Sequence, residues 1–165
     1  MSDRDAAFQE YFAARSDVMR GTAYLLCGDW HRAEDLVQQA FTKLYLAWRR
    51  IERHEALDAY TRQILVRTFL SERRRGWFRF ESASEEHADS AAPPDVYPEE
   101  RMVLLEALAK VPPKQRACLV LRYWEDMSIE QTAAVLKCSE GTVKSQAARG
   151  LQTLRGLLSQ QERVR

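Results

Sequence analysis

Apolar residues along this chain recur at helical spacing. In "EDLVQQAFTKLYLAW", Val37, Phe41, Leu44 and Trp48 fall at i, i+4, i+7 and i+11, one face of a helix. A second segment, "DAYTRQILVRTFLSERRR", turns Tyr60, Ile64, Leu65, Phe69 and Leu70 toward a core. Its other face carries Arg62, Arg67 and Arg73 to Arg75. Between the two, "RRIERHEAL" reads as a helix end and a short loop. Leu104, Ala107, Leu108 and Val111 repeat the spacing until Pro112 and Pro113, which stop that helix and open the next. Ala117, Val120, Leu121 and Trp124 then predict a further buried stripe. "SIEQTAAVL" begins with a Ser128…Gln131 capping box and turns Ile129, Ala133 and Leu136 inward.

The next residues, Lys137-Cys138-Ser139, are a three-residue turn, and Ser139 can cap the helix that follows. A short helix, a tight turn and a second helix make a helix-turn-helix pattern. In the second helix Val143, Ala147, Gly150, Leu151 and Leu154 form the buried stripe, with Ala147 and Gly150 small enough for close approach to the first helix. Lys137 occupies the turn position often held by Gly, so it has to bear any left-handed conformation there. Lys144, Ser145, Ala148, Arg149 and Gln152 line the opposite face. Arg and Lys donate to guanine O6 and N7, and Gln pairs with an adenine edge. No Asp or Glu occurs from Gly141 to Gln161 to repel a phosphate backbone. A solvated amphipathic helix is the plain alternative. The capped first helix, the turn and the base-only outer face favour DNA binding.

Composition supports an all-α protein: six Gly, five Pro and few β-branched alternations in 165 residues, of which 45% are hydrophobic. The net charge of +1 conceals a segregation. Residues 53–80 carry seven bases against three acids, and residues 81–100 carry seven acids and no Lys or Arg. "ESASEEHADSAAPPDVYP", residues 81–98, reads as a flexible acidic linker. The polar start has no apolar signal-peptide core, and no apolar run approaches a membrane span of about 20 residues. Cys27, Cys118 and Cys138 are odd in number and widely spaced, which fits a reducing cytoplasm better than a disulfide framework. Cys27 and His31 are half a metal site at most, with no second pair nearby. There is no P-loop, H-E-x-x-H, dinucleotide fingerprint or nucleophile elbow, so neither an enzyme nor a cofactor is expected.

"AEDLVQQAFTKLY", "VPPKQRACLVLRYWEDMSIEQTAAVL" and "SEGTVKSQAARGLQTLR" together resemble the extracytoplasmic-function (ECF) group of bacterial sigma factors, over nearly the whole length from Phe8 to Leu158. "TAYLLCGDWHRAEDLVQ" further resembles an actinobacterial, SigE-like subgroup. The resemblance implies two small helical domains without a separate domain 3. Sigma domain 2 would span residues 5–80, the linker 81–98, and sigma domain 4, with its helix-turn-helix, 99–158. It implies binding to core RNA polymerase, through the β′ clamp helices and the β flap, and promoter DNA as the second partner. The clamp-facing residues would be Asp35, Leu36, Gln38, Gln39 and Phe41. The −10 element would be read and melted by Arg49, Arg50, Arg53 and His54 around the loop, and by Tyr60, Arg62, Gln63 and Arg67 on the next helix. Those residues offer the cations and planar groups that an unstacked base needs. The −35 element would be contacted by Lys144, Ser145, Ala148 and Arg149, with Ser128, Thr142 and Gln146 on the backbone. Arg67 stands where many relatives carry Asn, and Gln146 where many carry Arg. An inhibitory anti-sigma factor is a common partner in the family, and nothing in this chain encodes one. The acidic linker is a tether, or by resemblance an RNA mimic in the polymerase channel. The rival reading is an autonomous helix-turn-helix regulator acting without core polymerase.

Overall fold

The computed structural model describes residues 2–51, 56–80 and 99–164. Arg53, His54 and the 81–98 segment lie outside these residues, as do the side chains of residues 74–80. The described residues form helices and turns, with no strand among them.

Helix α1 runs Asp3–Cys27. Ser2 caps it by accepting from the Asp5 N–H at 3.3 Å. Gly28 ends it at φ 73°, a left-handed conformation that glycine adopts without a Cβ penalty, with its N–H on the Tyr24 carbonyl. Helix α2, Trp30–Ala47, starts on Asp29, whose carboxylate accepts from the His31 and Arg32 N–H groups. A 3₁₀ turn, Trp48–Arg50, follows. Helix α3 is Leu57–Phe80. In the second half, α4 is Glu99–Lys110 and α5 is Pro113–Leu119, and a π-type turn over Val120–Trp124 continues α5. Helices α6, Ile129–Leu136, and α7, Glu140–Val164, complete the chain.

The predicted stripe on α2 is core: Val37, Phe41, Leu44 and Trp48 are all buried. The long α1, which periodicity does not single out, supplies aromatic partners. Phe8 packs edge-on against Trp48 at 5.4 Å and Phe12 edge-on against Phe41 at 4.9 Å. Such pairs add to plain area burial. Two predicted inward residues face outward instead. Leu104 is 43% exposed and Trp124 54% exposed. The π-type turn widens the helix at Trp124, so a strict i, i+4 register no longer describes where that side chain points. Gly150 also differs from expectation. A Cβ there would sit 3.0 Å from Leu119 Cγ, so its close approach is to α5, not to the first helix of the helix-turn-helix.

The two halves do not stand apart. Helix α1 packs on α4 and α5, and α3 packs on α5 and α6. One continuous apolar cluster joins Leu65, Val66 and Phe69 of α3 to Val120, Leu121, Met127 and Val135. Arg116 of α5 is 2% exposed and ties the halves together. It donates to the Leu26 carbonyl near the end of α1 and to the Ala109 and Val111 carbonyls at the end of α4. Those are orphan carbonyls of two helix C-termini, where a cation is favoured. Burial pushes the Arg116 guanidinium down to about 10, still charged at neutral pH.

Candidate nucleic-acid interface

The helix-turn-helix is built by local rules. The Ser128 hydroxyl accepts from the Gln131 N–H at 3.0 Å, and the Gln131 side chain accepts from the Ser128 N–H at 2.9 Å, a complete capping box. Lys137 takes the left-handed conformation at φ 53°, so the turn does carry strain in a non-glycine residue. Ser139 caps α7 by accepting from the Thr142 N–H at 3.1 Å, and its hydroxyl meets that of Thr142. Val143 and Ala147 are buried by this arrangement, and Gly150 faces α5.

The opposite face of α7 is open. Lys144, Ser145, Ala148 and Arg149 are exposed, and Gln146 is half-buried at the margin. Neither Lys144 nor Arg149 is in an ion pair with a described residue. Ser128 and Thr142 lie exposed at the helix starts, where N–H groups and hydroxyls suit phosphate oxygens. All seven predicted −35 residues therefore lie on or beside the two helices of one motif.

The predicted −10 residues divide. Arg49 and Arg50 are exposed in the 3₁₀ turn, and Tyr60 is half-buried. Arg62 is engaged by the second domain: its Nε lies 2.8 Å from Glu125 Oε2, an ion pair whose N–H is not lined up with the oxygen. Arg67 donates to the Val135 carbonyl at 3.0 Å and the Ala134 carbonyl at 3.4 Å, at the end of α6. Gln63, with its amide oxygen turned to Arg67, accepts from that guanidinium at 2.6 Å.

The predicted polymerase-facing set also divides. Asp35, Gln38 and Gln39 are exposed on α2, with Gln39 donating to Glu72 at 2.6 Å. Leu36 and Phe41 are 1% and 3% exposed and belong to the core, so the expectation that Leu36 serves a docking face is corrected, while Phe41 reaches the surface only at the floor of a groove. Apolar neighbours of Gln38 were missed. Phe12 and Tyr45 are exposed and, with Phe8, Thr42 and Phe41, line a groove of about 370 Å³. Their signal was weak, because both helices are amphipathic and the second apolar edge looks like more core. A second apolar surface was missed on the other half. Leu104, Tyr123 and Trp124 are exposed beside a cavity of about 210 Å³ lined also by Leu108, Leu151 and Leu154.

No group of His, Cys, Asp and Glu among the described residues can hold a metal ion. The Cys27 thiol instead donates to the Asp29 carbonyl at 3.1 Å, and burial pushes it up to about 11. No described helix is long and apolar enough to cross a membrane.

A capped helix-turn-helix with an open cationic face, joined to a helical domain bearing a second arginine-rich face, defines a two-part DNA-reading protein. The comparisons with known proteins make this specific. Residues 12–79 match the family model for Sigma-70 region 2, and residues 101–154 match that for Sigma-70, region 4. The RNA polymerase sigma-E factor of Streptomyces coelicolor is 38% identical over 164 residues, covering 90% of this chain and 84% of that protein. The RNA polymerase sigma factor CarQ of Myxococcus xanthus is 30% identical, covering 94% and 91%. Among solved structures, the sigma factor RpoE of Bartonella quintana, in complex with the anti-sigma factor NepR, is similar in fold at a TM-score of 0.76. It is 24% identical, covering 93% of this chain and 97% of that one. The chain belongs to the ECF RNA polymerase sigma factors of the sigma-70 family.

Proposed function

We propose that the residues described above divide the work of a sigma factor among three surfaces. As a member of this family the chain binds core RNA polymerase and directs promoter-specific transcription initiation. Residues 5–80 are its domain 2, residues 81–98 its linker and residues 99–158 its domain 4. It acts in the cytoplasm with the polymerase and performs no catalysis of its own. On α7, Lys144, Ser145 and Arg149 reach −35 base edges and adjoining phosphates, with Ala148 at the apolar contact. Ser128, Thr142 and Gln146 hold the backbone. Arg49, Arg50, Arg53, His54, Tyr60, Arg62, Gln63 and Arg67 contact the −10 element. Asp35, Gln38 and Gln39 face the β′ clamp helices. The apolar surface of Leu104, Tyr123 and Trp124 suits a nonpolar segment such as the β flap, since such patches are uncommon on monomers without a partner.

The observation that carries this reading is a capped helix-turn-helix with Lys144 and Arg149 exposed, joined in one chain to a helical half whose α3 carries Arg62 and Arg67. The test adds the purified chain to core polymerase of a related bacterium and measures association and promoter-dependent initiation. Association with core and initiation at a subset of promoters is the expected result. No association and no initiation at any promoter would overturn it. Tight operator binding by the chain alone would favour an autonomous regulator.

A further inference from the structure

We propose that the free chain masks the α3 part of its own −10 reader: domain 4 closes over α3, and Glu125 occupies Arg62 as a stand-in for a DNA phosphate. The proposal rests on the assignment of α3 to −10 contact made above.

Three charged side chains, Glu125, Arg67 and Arg116, organise the polar seam. The Glu125 carboxylate, only 8% exposed, sits 2.8 Å from Arg62 Nε, and it also accepts from the Thr22 hydroxyl on α1. Arg67 donates to the carbonyls of Val135 and Ala134. These lie in the last turn of α6, where carbonyls lack helical partners and the helix dipole is negative. Arg116 spans in the other direction, from α5 to the Leu26 carbonyl of α1. A carboxylate and two carbonyls are acceptors of the kind that phosphates and base edges offer an arginine. While they are in place, the Nε edge of Arg62 faces Glu125 and the Arg67 guanidinium is taken up by α6 and Gln63, so neither side chain is free to turn to DNA. Phe69 and Val135 belong to one buried apolar cluster that accompanies the seam.

The closed arrangement covers α3 and leaves Arg49 and Arg50 of the 3₁₀ turn exposed. Lys144 and Arg149 remain exposed while Arg62, Gln63 and Arg67 are held. It is also incompatible with reading both elements together. A compact chain of this length has a radius of gyration of about 15 Å. Promoter elements about 25 bp apart are separated by roughly 85 Å at 3.4 Å per step. Separation of Arg62 from Glu125 and of Arg67 from α6 is therefore a necessary step in forming an initiation complex, one that binding to core polymerase has to drive.

The test uses the full chain, Glu125→Ala, and Glu125→Gln, which keeps the side-chain shape and removes its charge. Helical circular dichroism equal to the parent certifies each variant as folded. Small-angle scattering reads closure, and fluorescence anisotropy reads binding to short mixed-sequence single-stranded DNA. The parent should be compact, with a radius of gyration of about 15 Å, against above about 20 Å for domains held apart by the linker. At least one folded variant should expand and bind the DNA about tenfold tighter, the lower end of what buried charge pairs contribute. A parent already expanded overturns the proposal. So do variants that stay compact, or that expand with unchanged DNA affinity. Failure of the parent to associate with core polymerase would instead overturn the sigma-factor roles and leave closure standing.

Discussion

Replacing Arg116 with Met should be among the most damaging single changes in the chain. The guanidinium makes contacts of 3.2 and 2.7 Å to the Val111 carbonyl and 2.7 Å to the Ala109 carbonyl, with Leu26 as the third acceptor. Hydrogen bonds to charged groups are worth about 1.5–3 kcal/mol each. Against them stands the desolvation of a buried cation, several kcal/mol. Met restores most of the volume and removes the desolvation penalty, yet it leaves three carbonyls at two helix ends without their donor. At about 1–3 kcal/mol for each unsatisfied group, partly relieved by water, the net loss is about 3–4 kcal/mol. Urea unfolding followed by circular dichroism measures it. With a slope near 2 kcal/mol per molar, the midpoint should fall by about 1.5–2 M. Arg116→Lys should recover little, because one compact ammonium cannot reach three splayed carbonyls. A loss below about 1 kcal/mol for Met, or full recovery by Lys, would refute the capping role.

Other outcomes follow from single residues. Lys144→Ala and Arg149→Ala should each lower −35-dependent initiation about tenfold while core binding measured by co-purification is unchanged, the cost of one good base or phosphate contact; equal loss of core binding would make α7 a structural element only. Lys137→Gly should stabilise the chain by up to about 1 kcal/mol in thermal melts, because φ 53° and ψ 49° strain any residue with a Cβ. Burial raises the Cys27 and Cys118 thiols from 9.0 to about 11. Folding thus favours their neutral form: the stabilisation is complete below pH 9, and it is lost as pH climbs toward 11. Urea midpoints should fall over that window, and a Cys27→Ser, Cys118→Ser chain should lose that slope.

Helix existence and the helix-turn-helix were legible because their causes are local. A capping box, a proline pair and an i, i+4 stripe each act within a few residues. Ser128, Ser139 and Lys137 accordingly behave as their sequence context dictates. The misreadings have nonlocal causes. Leu36 and Phe41 read as shared between core and docking face because a stripe's width is visible in sequence while its orientation is not; both are buried, Phe41 under the aromatics of α1. Leu104 and Trp124 read as core because an apolar partner surface and an apolar core have the same periodicity. The closure of α3 by domain 4 was invisible for another reason. Arg62 and Glu125 stand 63 positions apart, and a basic face shows nothing in sequence of what neutralises it.

The same seam sets a limit on its own strength. A binding step that requires the open form loses affinity in proportion to the open fraction. A closed-to-open ratio of about 100 would weaken apparent core binding about 100-fold, and about 10,000 would make assembly depend on a partner that supplies some 5.5 kcal/mol of preference. A useful mask therefore needs individually replaceable contacts. The polar part of the seam has that character: one ion pair without an aligned hydrogen bond, one hydrogen bond from Thr22 to the same carboxylate, and two bonds to carbonyls that water can also satisfy. Opening also uncovers part of the apolar cluster that joins α3 to α5 and α6, a cost that binding to core polymerase has to offset. Arg116 is the exception, since its donors hold α1 and α4 together at a buried point. Opening that frees Arg62 and Arg67 must either break the Arg116–Leu26 contact or pivot about it. Loss of Arg116 should thus weaken closure as well as folding, so a scattering measurement on any folded Arg116 variant should find it more expanded than the parent.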